Sequence, residues 1–552
     1  MIILAVVVFA TILSVATPTR ATPLSEQPPP VVKLDEAVFT GLSEATVSSF
    51  LGIPFAQPPV GDLRFRLPLP SPPYTGRHIV TNPGPACPQL APGLPLLSGL
   101  PDDAISAVLN VIDMVANLSS EDCLTLDVIT PAGASPSAKL PVVVVCVRYC
   151  AGAFEFGSSS TMDGRIIVER GLEINEPIIY VSMNFRTATF GFLASQEVKD
   201  AGVGNLGLQD QRLALRWVQK YINAFGGDPA RVTIWGESSG AASVALQMLT
   251  NGGNTDGLFR AAFMQSGSPL PVGDITNGQP YYDDLVLRTG CTGSPDTLGC
   301  LRSVDYDVLK AAVDKSPGVF SYQSLHLAWL PRADGVFLTE PPQHLVRQGS
   351  VANIPFVSGD CDDEGTLFSF ANSNVTTDSQ YREYVKTFWL SAATDEVIDT
   401  AMELYPSDIT QGSPFDTGDL NALTPQFKRL AAIQGDMAFQ APRRFFLQQR
   451  SGKQQIWSFL FRRLKFQPFL GSTHTSDLLD VYGPGDMTDY LIRFVANLDP
   501  NGKSGIYWPE YTTQFPSLLT FLDGPVPLTI IQDTYREDAM NFLTEYSLAY
   551  PI

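Results

Sequence analysis

The sequence predicts an α/β fold, a central, mostly parallel sheet with helices on both faces. Two observations predict it. Short, near-continuous apolar runs rich in β-branched residues recur along the chain, as strands buried on both faces require. Longer segments with apolar residues at helical spacing lie between them, so strand and helix alternate. Taken in order, LPVVVVCV (140–147) and EPIIYVSMNF (176–185) read as buried strands. GLQDQRLALRWVQKYINAF follows, its Leu213, Leu215, Val218, Tyr221 and Ile222 recurring at roughly helical spacing. The chain is then expected to turn at GGDPA, run as a strand through RVTIW and continue as a helix of small and apolar residues, SSGAASVALQML. AAFMQSGS (261–268) and NIPFVSG complete the strand set. No repeat, heptad run or linker divides the chain, so residues 22–552 read as one domain.

The 552 residues are 44% hydrophobic and 17% charged, a globular composition. A formal net charge of -20 repels phosphate backbones and anionic membrane surfaces, which argues against nucleic acid as a partner. The opening MIILAVVVFATILSVA is apolar but short for a membrane span; Ser14, Val15, Ala16 and Ala21 and then a proline-rich TPLSEQPPP follow. Residues 1–21 are therefore expected to be a secretory signal, although a basic n-region is missing. No later segment is apolar for long enough to span a bilayer, and LTEYSLAYPI lacks the apolar tail of a lipid-anchor signal. In an oxidising compartment most of the seven cysteines should pair. Cys291 and Cys300 bracket a short loop and are natural partners, while Cys87 and Cys123 bracket a longer one. No cysteine spacing suggests zinc. Sequons at Asn117 and Asn374 fit a secreted glycoprotein.

Chemistry enters at Gly236-Glu237-Ser238-Ser239-Gly240, between the strand RVTIW and the helix after it. A serine on a sharp strand-to-helix turn needs small flanking residues, and the turn lifts its hydroxyl above the sheet. The following helix aims its N-terminus there, where negative charge is stabilised. Such a hydroxyl needs a base, and the four histidines are His78, His326, His344 and His474. Hydrolases built on this turn run serine, acid, histidine in chain order, which removes His78. His326 sits in the apolar SYQSLHLAWL and reads as packed; His344 lies in PPQHLVRQG, a surface helix. His474, in the loop LGSTHTSDLL, is the candidate base. The best acid candidates follow NIPFVSG, in Asp360-Cys361-Asp362-Asp363-Glu364-Gly365-Thr366, at the carboxyl end of a parallel strand. Composition does not select among them, and the cluster also fits a solvated turn or a calcium site.

These residues carry a resemblance. The chain resembles the type-B carboxylesterase/lipase family, the cholinesterase-like α/β-hydrolases, and looks closest to its secreted fungal lipases. The matching stretches are FLGIPFAQPPVGDLRFRLP (50–68), SEDCLTLDV (120–128), GNLGLQDQRLALRWVQKYINAFGGDPARVTIWGESSGAAS (204–243), GDCDDEGT (359–366) and LGSTHTSDLL (470–479). The resemblance implies an α/β-hydrolase fold, a triad of Ser238, Glu364 and His474, disulfides Cys87–Cys123 and Cys291–Cys300, and no metal or cofactor. It leaves Cys146, Cys150 and Cys361 unassigned. One segment departs from the family. Where a His-Gly-Gly-Gly-Phe-like oxyanion segment is usual, this chain has Cys150-Ala151-Gly152-Ala153-Phe154. By alignment the oxyanion donors would be the amides of Gly152 and Ala153, joined by that of Ser239. Alanine restricts the backbone freedom that glycine gives there.

The segment between Cys87 and Cys123 bears on the substrate. Ile105, Val108, Leu109 and Ile112 lie at amphipathic spacing, and in the family's lipases this loop is a lid with an apolar underside. It has no aromatic residue to hold a choline cation, which disfavours a choline esterase. The sequence therefore reads as a secreted hydrolase of lipophilic carboxylic esters that touches a lipid interface transiently through this lid. A carboxylesterase of small alkyl or aryl esters is the alternative. A weakened cholinesterase-like binding protein is the alternative outside enzymes.

Overall fold

The computed structural model describes residues 28–91, 105, 119–146 and 152–552. The signal expected at 1–21, most of the 87–123 loop with Asn117, and Cys150 lie outside the described residues. The first part of the chain supplies β1 (Val31–Leu34), β2 (Ala37–Thr40), β3 (Leu42–Ser43), β4 (Val47–Pro54) and β5 (Arg77–Ile79). The strands β1, β2 and β5 pair as a separate small sheet. The large sheet adds β6 (Thr125–Pro131), β7 (Leu140–Val145), β8 (Ile179–Met183), β9 (Gly227–Glu237), β10 (Ala261–Gln265), β11 (Phe356–Cys361), β12 (Ile456–Arg462), β13 (Ser517–Leu522) and β14 (Leu528–Gln532).

Its strand order is β14-β13-β12-β11-β10-β9-β7-β8-β6-β4-β3. From β8 across to β13 every neighbouring pair is parallel. The flanking strands β14 on one side and β6, β4 and β3 on the other join antiparallel. The chain steps from β7 outward to β8, then returns past β7 to begin β9 and grows the other way. The order of strands therefore reverses between β7 and β9, the kind of switch point at whose carboxyl ends open α/β sheets bind ligands.

Helices cover both faces, as the two-sided strands require. Val142 and Val144 of β7 face one core and Val143 and Val145 the other. The first core is closed by α2 (Leu206–Tyr221), α3 (Ser239–Leu249) and α5 (Ala441–Arg450). The second is closed by α1 (Arg165–Glu173) and α6 (Asp486–Asn497). A third cluster gathers around α4 (Phe427–Gly435). Each fully buried Val, Leu, Ile or Phe contributes about 1.5–3 kcal/mol, so the strand-rich centre is held from both sides.

One sequence expectation shifts. The turn expected over GGDPA is confined to its first residue, Gly226 with φ 90°, because Gly227 already pairs with Leu140 and starts β9, so GDPA belongs to the strand. The extra residues are taken up by an irregularity in the β7–β9 register between Leu140 and Val142. Disulfides join Cys87 to Cys123 and Cys291 to Cys300, and Cys146 and Cys361 are buried free thiols. Among the described residues no helix is long and apolar enough to cross a membrane.

Candidate active site

The site is built at the carboxyl end of β9, beside the β7–β9 switch point. Ser238 follows β9 directly and precedes α3, with φ 56° and ψ -126°, a conformation that a serine adopts only when its surroundings enforce it. Two glycines enforce it. A Cβ on Gly236 would stand 2.3 Å from the carbonyl carbon of Gly240, and one on Gly267 would stand 2.4 Å from the Ser238 carbonyl oxygen. The turn is locked from either side by Ser238 N–H donating to the Gln265 carbonyl at 2.8 Å and Ala242 N–H donating to that of Ser238 at 2.9 Å.

The loop carrying His474 brings its Nε2 to 2.8 Å from Ser238 Oγ. Its Nδ1 lies 2.5 Å from Glu364 Oε2. The other oxygen of Glu364 accepts the Cys361 N–H at 2.6 Å, so the carboxylate is fixed at both ends. Phe439 and Phe368 pack on the imidazole with ring centroids 4.6 and 5.1 Å away, closing it from water. Burial pushes the His474 imidazole down to about 4 and the Glu364 carboxyl up to about 8. The imidazole is thus kept neutral at rest, the form that can take a proton from a hydroxyl.

The acidic stretch before Glu364 is neither a solvated turn nor a calcium site. Asp360, Asp362, Asp363 and Glu364 are all buried. Asp360 pairs with Arg443 at 2.9 Å. Asp362 pairs with Arg462 at 2.9 Å and Lys465 at 2.6 Å, and Lys465 also holds Asp363 at 2.6 Å. Arg443 in turn binds Asp533 at 3.0 Å, and Arg444 binds the same carboxylate at 2.6 Å. Only Glu364 of the four turns to the histidine. The other acids pin β11 and its turn in place.

On the opposite side of Ser238 lies Gly152. A Cβ there would stand 2.6 Å from Ser239 Oγ and 3.4 Å from Ser238 Oγ, so the backbone passes directly beside the hydroxyl. The next residues keep the conformation glycine would give: Ala153 has φ 42° and Phe154 φ 59°. An alanine in this left-handed region costs about 1–2 kcal/mol, borne here by the surrounding packing. Among the described residues no acceptor takes the backbone N–H of Ala153 or of Ser239. Ser239 begins α3, whose first amides lack intrahelical partners.

The other histidines lie elsewhere. His78 stacks on Phe39, with ring centroids 4.5 Å apart. His326 is driven down to about 4 by burial and tilts against Phe388. His344 stands on a short helix, Pro342–Gln348, but is half-buried rather than free, its Nε2 lying 2.7 Å from the Leu548 carbonyl. Asn374 is exposed. Sequence reasoning missed two acids beside the histidine. Glu237, within the serine motif, is buried with Oε1 3.5 Å from His474 Nε2, and burial holds its carboxyl well above the ordinary range. Asp477, three residues past the histidine, accepts from Gln265 at 2.7 Å and is pushed up to about 7 by burial. Neither residue's chemistry stands out in the sequence, since each looks like any surface acid.

The carboxylesterase family model matches residues 28–543. Lipase 4 of Diutina rugosa is 45% identical over 492 residues, covering 87% of this chain and 88% of its own length. Secreted lipase 1 of Botryotinia fuckeliana is 39% identical over 557 residues, covering 96% of each. The crystal structure of Aspergillus niger EstA superposes with a TM-score of 0.79 at 25% identity, over 95% of this chain and 99% of that one.

Proposed function

We propose, from the premise that this chain belongs to the carboxylesterase family, that it is a secreted serine lipase cleaving lipophilic carboxylic esters through an acyl-enzyme. The observation that carries the reading is the hydrogen-bonded chain Ser238–His474–Glu364, seated on a strained strand-to-helix turn. Ser238 Oγ attacks the ester carbonyl carbon while His474 Nε2 takes its proton. Glu364 holds the Nδ1 proton and stabilises the imidazolium that forms. The amides of Gly152, Ala153 and Ser239 receive the oxyanion. Collapse expels the alcohol, which takes the proton back from His474. Water, deprotonated by the same imidazole, then attacks the acyl carbonyl and releases the carboxylic acid and Ser238. No step draws on a metal or cofactor.

The lipase reading over a small-ester carboxylesterase is favoured by the lipases among the relatives and by the amphipathic spacing of residues 105–112. Secretion is favoured by the apolar opening of the sequence and by the two disulfides. The test is hydrolysis of p-nitrophenyl butyrate and palmitate by protein collected from culture medium, beside Ser238→Ala. Activity on both esters, rising on palmitate above its solubility limit and lost by several orders of magnitude in the variant, is expected. A rate on palmitate with no such rise, below that on butyrate, would replace the lipase by a small-ester carboxylesterase. Undiminished activity in Ser238→Ala would overturn the mechanism.

A further inference from the structure

Glu155 is the most unusual side chain next to the oxyanion turn. It follows Gly152-Ala153-Phe154 and is 0% exposed. One carboxyl oxygen accepts the Val319 N–H at 3.0 Å. The other, Oε1, is buried and has no hydrogen-bond partner among the described residues. No ion pair reaches it there. Gly318 makes room for it, since a Cβ at that position would stand 3.1 Å from the carboxyl oxygen Oε2. The backbone of Glu155 is tied as tightly. Its N–H donates to the Gly152 carbonyl at 2.8 Å, and its carbonyl accepts the Leu90 N–H at 3.0 Å, three residues past Cys87. The neighbouring Phe154 carbonyl accepts the Ala188 N–H at 2.7 Å.

A carboxyl in such a niche is expensive to ionise. An isolated buried carboxylate costs several kcal/mol, and a single amide N–H offsets only part of that. On the chain leading to Gly318, Lys310 and Asp314 are already matched to each other, both carboxylate oxygens lying 2.6 Å from the ammonium. Asp314 also takes the Ala91 N–H at 2.9 Å, which leaves that charge committed to the base of the 87–123 loop. Burial accordingly raises Glu155 to about 8. Ionisation has two consequences at the site. It forces the carboxylate to seek water, pulling on the turn that holds the Gly152 and Ala153 amides, and it puts negative charge beside the place where an oxyanion develops.

We infer that Glu155 is a positioning residue, a neutral carboxylic acid pinned to Val319 that sets the oxyanion turn, and that its ionisation switches the enzyme off. The inference rests on the reading of Gly152 and Ala153 as oxyanion donors and adds a built-in alkaline limit to it. The O–H and C=O of the neutral acid are matched in shape by glutamine, which cannot ionise. Glu155→Gln therefore separates the charge from the packing.

The experiment is kcat and KM on p-nitrophenyl butyrate from pH 6 to pH 10 for wild type, Glu155→Gln and Ser238→Ala. Rates of wild type and Glu155→Gln are expressed per active site, counted by stoichiometric phosphonylation of Ser238, and those of Ser238→Ala per folded protein. Wild-type kcat is expected to fall about tenfold or more above pH 8 with KM moving less than about twofold, a fraction of the 100- to 1000-fold that a lost oxyanion donor costs. Glu155→Gln is expected to match wild type at pH 7 and to keep its rate at pH 10. Parallel alkaline losses in the two proteins would overturn the inference while leaving the mechanism standing. Activity in Ser238→Ala would overturn the mechanism itself. Should Glu155→Gln not fold, Glu155→Leu, of similar size and equally unable to ionise, takes its place: an alkaline loss of kcat parallel to that of wild type refutes the inference.

Discussion

Replacing Glu364 by glutamine tests the coupling between site chemistry and fold stability. In the ionised form that the proposed mechanism uses, the carboxylate accepts twice, from the Cys361 N–H at 2.6 Å and at the His474 Nδ1 at 2.5 Å. Glutamine has one oxygen and one NH2. Its oxygen must stay on Cys361, because an NH2 facing that N–H would leave two buried donors opposed, at a cost of about 1–3 kcal/mol. The NH2 then faces Nδ1, the ring proton moves to Nε2, and His474 presents a donor where Ser238 needs an acceptor. Loss of the correct tautomer lowers kcat by about 10⁴-fold, with KM little changed. Stability moves the other way. Burial lifts the Glu364 carboxyl from an ordinary 4.5 up to about 8. A raised carboxyl contributes stability below its ordinary value and loses it as pH climbs toward the folded value, so by pH 7 the wild type has given up about 3 kcal/mol that glutamine does not lose. At pH 5 the gap closes to under about 1 kcal/mol. Urea unfolding at both values, beside steady-state kinetics, checks this. A variant less stable than wild type at pH 7, or one keeping a tenth of wild-type kcat, would refute the reasoning.

The serine turn and the buried ion network give two further outcomes. Gly236→Ala puts a methyl group 2.3 Å from backbone that no side-chain motion can relieve, so it is expected to destabilise by about 1–3 kcal/mol or more and to abolish labelling of Ser238 by a phosphonate. A thermal melt with active-site titration reads both. Arg443→Met strands the buried Asp360, leaves Asp533 to Arg444 alone and should cost about 3–5 kcal/mol. In the wild type the two arginines hold Asp533, despite its burial, below its ordinary 3.8, so its contribution is present above that value and is lost as pH falls further. Urea midpoints of wild type should drop below about pH 4, and those of the variant should drop less.

The parts of the fold legible in the sequence are those where one physical requirement dominates a run of residues. LPVVVVCV could only be a strand buried twice, and Val142 to Val145 do alternate between two cores. The serine motif was legible because small residues and a strand–helix junction coincide, and the structure puts Gly236 where nothing larger fits. The choice among four acids was not legible from composition. Asp360, Asp362, Asp363 and Glu364 differ only in what the fold brings to each: Arg443, Arg462 and Lys465, Lys465, and His474. Those partners come from 83 to 110 residues away. Gly267 was equally silent, since its role is to clear space for a carbonyl on another strand's turn. Glu237, Asp477 and Glu155 escaped for the same reason. Burial, unlike periodicity, is not written at a single acidic position.

Those buried acids also explain how a site can be held so rigidly and still react. Glu237, Glu364 and Asp477 surround His474, each raised by burial. In solution such acids would sit ionised and would draw the imidazole toward its cation. Enclosed by Phe368 and Phe439 and cut off from water, they leave the imidazole neutral at rest, its value lowered to about 4 by its own desolvation. In the proposed mechanism the proton of Ser238 passes to His474, so the imidazolium forms next to Glu364, with Glu237 and Asp477 close by, and any of them that ionises stabilises it in a medium where charges interact strongly. The enclosure thus penalises charge in the ground state and rewards a pair of opposite charges in the transition state. That difference, rather than the strength of any one hydrogen bond, is what the two-sided core and its buried ion network are stable enough to sustain.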